Sequence, residues 1–202
     1  MEMHAHWERV YGERAPDRVS WYEAVPESSL ELIDEAGIDT DAPVIDVGGG
    51  ASRLSGELLD RGYTDLTVVD ISGTSLVRAR AELDDRADRI SWLEADVLSD
   101  DLGRSFALWH DRAVFHFMVD PADREAYLAA LRRSLPSGGQ LVIATFGPEA
   151  PPTCSGLAVR RYGAAELAAL LDDFELASSR EVVHRTPSGK EQQFVYARFV
   201  RS

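Results

Sequence analysis

The chain has few cysteines, fewer basic than acidic residues and no long apolar run, and each of these shortages disfavours a class of protein. Its single cysteine, Cys154, excludes an internal disulfide and any zinc site built from several cysteines. Lysine occurs once, at Lys190, among 21 basic residues, against 35 acidic ones. The formal charge of -14 disfavours nucleic acid and anionic membranes as partners, because phosphate contacts need clustered Lys and Arg.

Membrane-spanning and metal-binding patterns are also missing from the sequence. No apolar stretch approaches the roughly 20 residues that a membrane-spanning helix needs. The N-terminal segment is charged and aromatic, unlike a secretory signal, and we therefore expect a cytoplasmic protein. No spacing of His, Cys, Asp and Glu predicts a metal site.

The 202 residues fit one domain with a substantial core. No repeat or long linker divides the chain, so we expect residues 1–202 to form a single domain. Within it, residues 1–26 are predicted to form an N-terminal helical cap. The sequence does not indicate an oligomeric state.

Strand and helix patterns alternate from residue 43 onward. Short apolar runs such as VIDV, LTVVD, ISWLEAD and QLVIATF are each separated by a helical pattern. This alternation predicts an α/β fold with a mainly parallel sheet and helices on both faces. Near the C-terminus, two strand-like runs around Pro-Ser-Gly predict an antiparallel hairpin.

A glycine-rich turn follows the first predicted strand, in VIDVGGGAS. Gly48 and Gly50 allow a tight turn and a close backbone approach to a ligand. A dinucleotide fingerprint would require Gly or Ala at position 53, where this chain has Arg53, and the lysine of a phosphate loop is missing. Asp46 precedes the glycines, and a carboxylate suits an ammonium group better than a phosphate.

Acidic residues also end the second and third predicted strands. Asp70 lies 20 residues after Gly50, where its side chain can accept both hydroxyls of a ribose, and Asp96 can accept the amine of an adenine. Any one of these aspartates alone is better explained as a helix cap. Together with Asp46 they indicate a ligand with a cationic amine, a ribose and an adenine but no phosphate. S-adenosylmethionine fits this description.

With these motifs, the chain resembles the class I S-adenosylmethionine-dependent methyltransferases over about residues 28–200. VIDVGGGAS is similar to their glycine motif, VVDIS to their acidic second-strand motif and LEADV to their adenine motif. LRRSLPSGGQLVIATF is similar to the loop that leads into their fifth strand. The resemblance implies a Rossmann-like seven-stranded sheet in the order 3-2-1-4-5-7-6.

The resemblance also implies a set of site residues. The methionine part of the cofactor would lie against the glycine loop with its amine near Asp46, and the ribose would bind Asp70. Asp96 and the backbone of Val97 would hold the adenine, and S-adenosylhomocysteine would be the product. The full set implied to bind the cofactor is Asp46, Gly48, Gly49, Gly50, Asp70, Ile71, Asp96, Val97 and Trp21.

His110 and Asp111, just after the fourth strand, are the candidate catalytic residues. They are implied to lie near the methionine end and the acceptor, where they would orient it or accept a proton. The alternative is an ion pair between Asp111 and Arg112 beside a structural histidine. Methyl transfer needs a general base only if the nucleophile arrives protonated, so the missing triad does not exclude an enzyme.

The segment FALWHDRAVFHFMVDPADREAYLAAL is similar to the fourth-strand region of thiopurine-type methyltransferases and of seven-strand lysine methyltransferases. It departs from their patterns at Ala107, His110 and Ala113, which leaves the acceptor open. HWERVY and VSWYEAVP resemble aromatic lids in the same relatives. Trp7, Tyr11, Trp21 and Tyr22 are therefore either a wall over the cofactor or packing residues.

Four functions remain open from the sequence. The leading one is methyl transfer to sulfur, nitrogen or oxygen of a small molecule, and the second is methylation of protein lysines. The third is a binding protein that retains the cofactor site without chemistry. The fourth is a nicotinamide-dependent reductase, which Arg53 disfavours.

Overall fold

The computed structural model describes residues 2–202 and has alternating helices and strands. The helices of six residues or more are α1 (Glu2–Glu13), α2 (Glu27–Ala36), α3 (Leu54–Asp60), α4 (Gly73–Leu83), α5 (Pro121–Ser134) and α6 (Ala164–Leu170), besides a 3-10 helix at Asp84–Arg89. The strands are β1 (Val44–Val47), β2 (Leu66–Asp70), β3 (Ile90–Glu94), β4 (Leu108–Arg112), β5 (Gln140–Phe146), β6 (Thr153–Cys154), β7 (Leu157–Ala158), β8 (Phe174–Arg185) and β9 (Glu191–Arg201).

Seven strands form one sheet in the order β3-β2-β1-β4-β5-β9-β8. Strands β1 to β5 pair with one another in parallel, whereas β9 runs antiparallel to both β5 and β8. The predicted α/β class, the strand order and the C-terminal antiparallel hairpin are thus confirmed. The remaining two strands, β6 and β7, have two residues each and form a separate antiparallel ribbon that the sequence did not predict.

The order of the strands determines where a ligand can bind. β1 lies between β2 and β4. The chain adds β2 and β3 on one side of β1 and then crosses back to add β4 on its other side, so the strand order reverses between β1 and β4. At such a reversal, the loops that follow the two strands diverge and leave a crevice at their carboxyl ends. The glycine loop after β1 and the segment after β4 border this crevice.

Apolar side chains on both faces of the sheet explain why these residues form central strands. Every residue of β1 and β2 is buried, as expected of strands that are covered by helices on both faces. The core includes Leu30 and Ile33 of α2 as well as Leu128 and Leu131 of α5. Burial of this apolar surface is the main force that holds the helices against the sheet.

The N-terminal helix α1 docks on the start of α4 through Glu8. The Glu8 carboxylate accepts hydrogen bonds from the Ser72 hydroxyl (2.5 Å), the Thr74 amide (3.0 Å) and the Thr74 hydroxyl (2.7 Å). It therefore caps a helix to which it does not belong, and the positive end of the α4 dipole favours its charge. Residue 1 of the predicted 1–26 cap lies outside the described residues.

We predict that Glu8→Gln weakens the folded state at neutral pH by about 1 kcal/mol, the usual cost of losing an N-cap side chain. The hydrogen bonds from Ser72 and Thr74 lower the pKa of Glu8 from 4.5 to about 2. Because this pKa is lowered, the stabilisation is present above pH 4.5 and is lost as the pH falls towards 2. Denaturant melts at pH 7 and pH 3 measure both effects.

Glu13→Gln, an exposed change in the same helix, is the matched control and should leave stability unchanged at both pH values. An acid dependence of stability that is the same in Glu8→Gln and in the unchanged protein would contradict the assigned contact.

Candidate functional site

A cavity of about 390 Å³ lies at the carboxyl ends of β1, β2 and β3, and we call it the main cavity. Its sheet side is lined by backbone and side chains from the ends of these three strands. Of the residues that the sequence analysis assigned to the cofactor, it contains Gly48, Asp70, Ile71, Asp96, Val97 and Trp21. Asp46, Gly49 and Gly50 do not line it.

The glycine loop turns away from β1 through a backbone conformation that requires glycine. Gly48 has a φ of +69°, and a Cβ there would lie 2.2 Å from Cγ2 of Val114. A Cβ at Gly50 would lie 2.0 Å from the Ser75 hydroxyl oxygen. The glycines therefore bring the loop against the segments that follow β2 and β4.

Asp70 fastens the glycine loop to the end of β2. Its carboxylate accepts hydrogen bonds from the amide of Gly50 (3.1 Å) and from the amide of Ser72 (2.8 Å). Only 5% of the residue is exposed, and this burial raises the pKa of Asp70 from 3.8 to about 6 although the hydrogen bonds lower it. A carboxylate at the cavity wall thus titrates close to neutral pH.

Asp96 belongs to the segment after β3, which lines one end of the main cavity. Its carboxylate accepts a hydrogen bond from the amide of Leu98 (3.0 Å), and its own amide donates to Asp100 (2.8 Å). These bonds fold the segment after β3 into a turn that exposes Asp96, Val97 and Leu98 to the cavity. Ile71 lines the same cavity from the end of β2.

His110 is held between Asp46 and Ser29 in a buried hydrogen-bonded row. Nδ1 of His110 lies 2.7 Å from Oδ1 of Asp46, and Nε2 lies 2.9 Å from the Ser29 hydroxyl. Because a carboxylate only accepts, Nδ1 donates, and in the neutral ring Nε2 accepts from Ser29. His110 is 2% exposed and Asp46 is 3% exposed.

A second, much smaller cavity, which we call the side cavity, adjoins the main cavity at Val47, Gly48, Trp21 and Arg112. Asp46 and His110 line it together with Arg53. The second oxygen of Asp46, Oδ2, is buried and has no hydrogen-bond partner among residues 2–202. An unpaired buried carboxylate oxygen is costly, and a positive charge beside Asp46 would lower that cost.

Neither predicted catalytic side chain lines the main cavity. Asp111 is fully buried and accepts hydrogen bonds from the amides of Val114 and Phe115 (both 3.0 Å) and from the Tyr127 hydroxyl. Burial raises its pKa to about 6. The alternative, a surface pair with Arg112, does not form, because successive side chains of β4 point to opposite faces of the sheet and Asp111 fixes the segment after β4.

Aromatic side chains from the N-terminal segment close the main cavity. Trp7 contacts Trp21 (ring centroids 5.6 Å apart) and Phe117 (5.2 Å), and Tyr11 contacts Trp21 (5.9 Å). We call Trp7, Tyr11 and Trp21 the aromatic lid. All three line the cavity. The same contacts therefore pack the N-terminal segment and enclose the cavity.

Arg112, at the end of β4, ties the aromatic lid to the sheet. Its guanidinium donates to the carbonyl of Trp21 (2.8 Å) and to the hydroxyl of Tyr196 (2.8 Å). Its other nitrogen, Nη2, lies 3.0 Å from Glu23, a contact that has the distance of an ion pair without the geometry of a hydrogen bond. His184 in β8 completes the attachment through the carbonyl of Ser20 (2.8 Å).

Several cavity residues were missed because only the fold brings them near β1. Cys154 reaches the cavity on the β6–β7 ribbon, and burial raises the pKa of its thiol. Phe117, Met118 and Asp123 arrive from the segment after β4 and from α5. No motif marks these positions. Among residues 2–202, no group of three potential metal ligands comes together.

Comparison with known proteins connects this geometry to a family. Residues 44–139 match a family model described as "Methyltransferase domain". The chain is 29% identical over 148 residues to an eEF1A lysine and N-terminal methyltransferase of Danio rerio, which is 71% of this chain and 21% of that protein. It is 32% identical over 106 residues to a malonyl-[acyl-carrier protein] O-methyltransferase of Anoxybacillus flavithermus, which is 52% of this chain and 39% of that protein.

The chain thus spans about a fifth and two fifths of the length of these two curated relatives. A solved structure of Burkholderia thailandensis 1,6-didemethyltoxoflavin-N1-methyltransferase, with 1,6-didemethyltoxoflavin and S-adenosylhomocysteine bound, superposes with a TM-score of 0.71 at 21% identity. The superposition covers 100% of this chain and 85% of that one. The match to the methyltransferase-domain model therefore covers residues 44–139, and the chain has the fold of the class I S-adenosylmethionine-dependent methyltransferases.

Proposed function

We propose that this protein transfers a methyl group from S-adenosylmethionine to a nucleophilic sulfur, nitrogen or oxygen of a small molecule. The observation that carries the proposal is the set of aspartates at the ends of β1, β2 and β3, which border two adjoining cavities. The family and the relatives, all of which are methyltransferases, support the activity. The small molecule in the Burkholderia thailandensis structure supports the acceptor class.

The main cavity suits the body of the cofactor, and the side cavity, of about 30 Å³, adjoins it at the glycine loop. In the proposed complex, the ammonium group of the amino acid part approaches Asp46 from the main cavity, and its carboxylate lies towards Arg53. The ribose hydroxyls donate to Asp70. Asp96 and Val97 hold the adenine beside Ile71, and Trp21 covers the cofactor from the lid.

The chemistry requires little beyond positioning and exclusion of water. S-adenosylmethionine supplies a methyl carbon that its sulfonium already activates. The protein has to hold the acceptor in line with that carbon and keep water out, which the aromatic lid does by enclosing the main cavity. A thiolate acceptor needs no base from the protein.

We further propose that His110 and Asp111 act as positioning residues. His110 restricts Asp46 to one orientation through its 2.7 Å hydrogen bond, which holds the carboxylate beneath Gly49 of the glycine loop. Asp111 anchors the turn that carries Val114, and Val114 packs against Gly48. Both residues then affect catalysis through the glycine loop, since neither side chain lines the main cavity.

Protein lysine methylation is the second candidate, because of the eEF1A lysine and N-terminal methyltransferase. Release of S-adenosylhomocysteine with a basic protein but not with thiols, amines or phenols would favour it. Turnover of a small acceptor alone would favour the first candidate. Binding of the cofactor without turnover on any of these acceptors would indicate a non-catalytic binding protein.

Location, domain count and partners stay predictions from composition. A cytoplasmic protein of one domain, without nucleic acid or membrane partners, is consistent with the charge of -14. In residues 2–202, every helix is too short or too polar to cross a membrane.

We predict that Asp70→Ala weakens the binding of S-adenosylhomocysteine about tenfold or more. Two ribose hydroxyls lose a charged acceptor, and each hydrogen bond to a charged group contributes roughly 1.5–3 kcal/mol. Calorimetry measures the dissociation constant. Asp88→Ala, an exposed carboxylate outside the cavities, is the matched control. Equal affinity in the two variants would rule out the role of Asp70.

Affinity for S-adenosylhomocysteine should also depend on pH. Burial raises the pKa of Asp70 to about 6, and only the ionised carboxylate accepts from both ribose hydroxyls. Affinity should therefore be constant above about pH 7 and fall as the pH drops below 6, by up to about tenfold per unit. Calorimetric titrations from pH 5 to 8 test this. The same decline in Asp70→Asn would assign the titration to another group.

His110→Ala should weaken both the fold and cofactor binding. Removal of the imidazole leaves the buried carboxylate of Asp46 without its hydrogen-bond donor, at a cost of about 3 kcal/mol. His110→Asn keeps an amide donor and should recover part of the stability and of the affinity. Denaturant melts and calorimetry measure the two quantities. Slower turnover with unchanged affinity and stability would instead make His110 a proton acceptor for the substrate.

A further inference from the structure

The charged side chains that line the main cavity are almost all acidic. Glu2, Asp70, Asp96 and Asp123 contribute carboxylates, and Arg112 contributes the one guanidinium among the described lining residues. In the proposed complex, the cofactor takes Asp70 and Asp96. Glu2 and Asp123, both exposed at the mouth of the cavity, then remain for an incoming acceptor.

Arg112 is not available to an anion. Two of its nitrogens donate to Tyr196 and to the carbonyl of Trp21, and the third faces Glu23 at 3.0 Å. The guanidinium also lies over the ring of Phe194, 4.9 Å from its centroid. An acceptor carboxylate or phosphate at this position would have to displace Glu23, and the lid segment with it.

The uncharged wall of the cavity is aromatic and apolar. The aromatic lid forms one side, and Phe117 and Met118 continue it. Such walls favour a flat apolar molecule through burial and ring contacts. A negative charge in the same space would lose its hydration and meet carboxylates without gaining a cationic partner.

We propose that the methyl acceptor has a flat apolar body and is uncharged or cationic away from its reacting atom, and that the cavity excludes acceptors with a carboxylate, phosphate or sulfate. The inference rests on the proposed function, since it assigns the acceptor of the same site. It depends on the carboxylates at the mouth, on the neutralised Arg112 and on the aromatic wall.

Three probes that share a naphthalene ring but differ in charge test the proposal. They are 2-naphthalenemethanol (neutral), protonated 2-naphthylmethylamine (cationic) and 2-naphthoate (anionic). Each is titrated at low salt into the protein alone and into its complex with S-adenosylhomocysteine. The neutral and cationic probes should bind at least about tenfold more tightly than 2-naphthoate, a difference of about 1.4 kcal/mol. Binding of 2-naphthoate as tight as that of the alcohol, or no binding of the two favoured probes, would overturn the proposal.

A charge-neutral variant separates the mouth carboxylates from the rest of the cavity. Glu2→Gln combined with Asp123→Asn should raise the affinity for 2-naphthoate about two- to fivefold, the effect expected of exposed charges, without changing that for the alcohol. Glu125→Gln, two residues along the same helix and outside the cavity, is the control. An equal rise in Glu125→Gln would show a general charge effect and count against the proposal.

A separate titration of the protein with S-adenosylhomocysteine alone reports on the proposed function. Failure of that ligand to bind would refute the cofactor assignment, whereas the three probes would still rank the charges that the cavity accepts. Tight cofactor binding together with a preference for 2-naphthoate would refute only the acceptor class.

Discussion

The site depends on the carboxylate of Asp70 and the two backbone amides that bind it. By accepting from Gly50 and Ser72, Asp70 joins the loop after β1 to the loop after β2 at the base of the main cavity. A buried carboxylate without such donors would be far more costly. Even with these donors, burial raises the pKa of Asp70 to about 6, so ionisation of the carboxylate costs free energy here. A ligand that brings hydroxyl donors would lower that cost.

The cap over the site is attached by the same kind of interaction. Glu8 from α1 binds the amide and the hydroxyl of Thr74, and Arg112 binds the carbonyl of Trp21. Glu8 is attached at the start of α4, and Arg112 comes from the end of β4. The enclosure of the main cavity is therefore coupled to the elements that shape it. Opening for ligand exchange would have to break these contacts.

Local sequence signals predicted the parts of the fold and site that are local in the chain. The alternation of strands and helices indicated the sheet, and the glycine turn with Asp70 and Asp96 indicated its ligand edge; these residues do lie together. Long-range contacts were not predictable in this way. His110 and Asp111, expected just after the fourth strand, lie within β4, and hydrogen bonds to Ser29, Asp46 and Tyr127 hold their side chains away from the main cavity. Cys154 enters through a two-residue ribbon that leaves almost no periodic signal.

The central claim is that this edge of the sheet selects a phosphate-free adenosine ligand that carries an amine. Calorimetric titration of the protein with S-adenosylhomocysteine and, separately, with NAD tests it most directly. We predict saturable binding of S-adenosylhomocysteine and no binding of NAD at the same concentrations, because the pyrophosphate would meet Asp46 at the glycine loop. Binding of NAD in preference to S-adenosylhomocysteine would contradict the account.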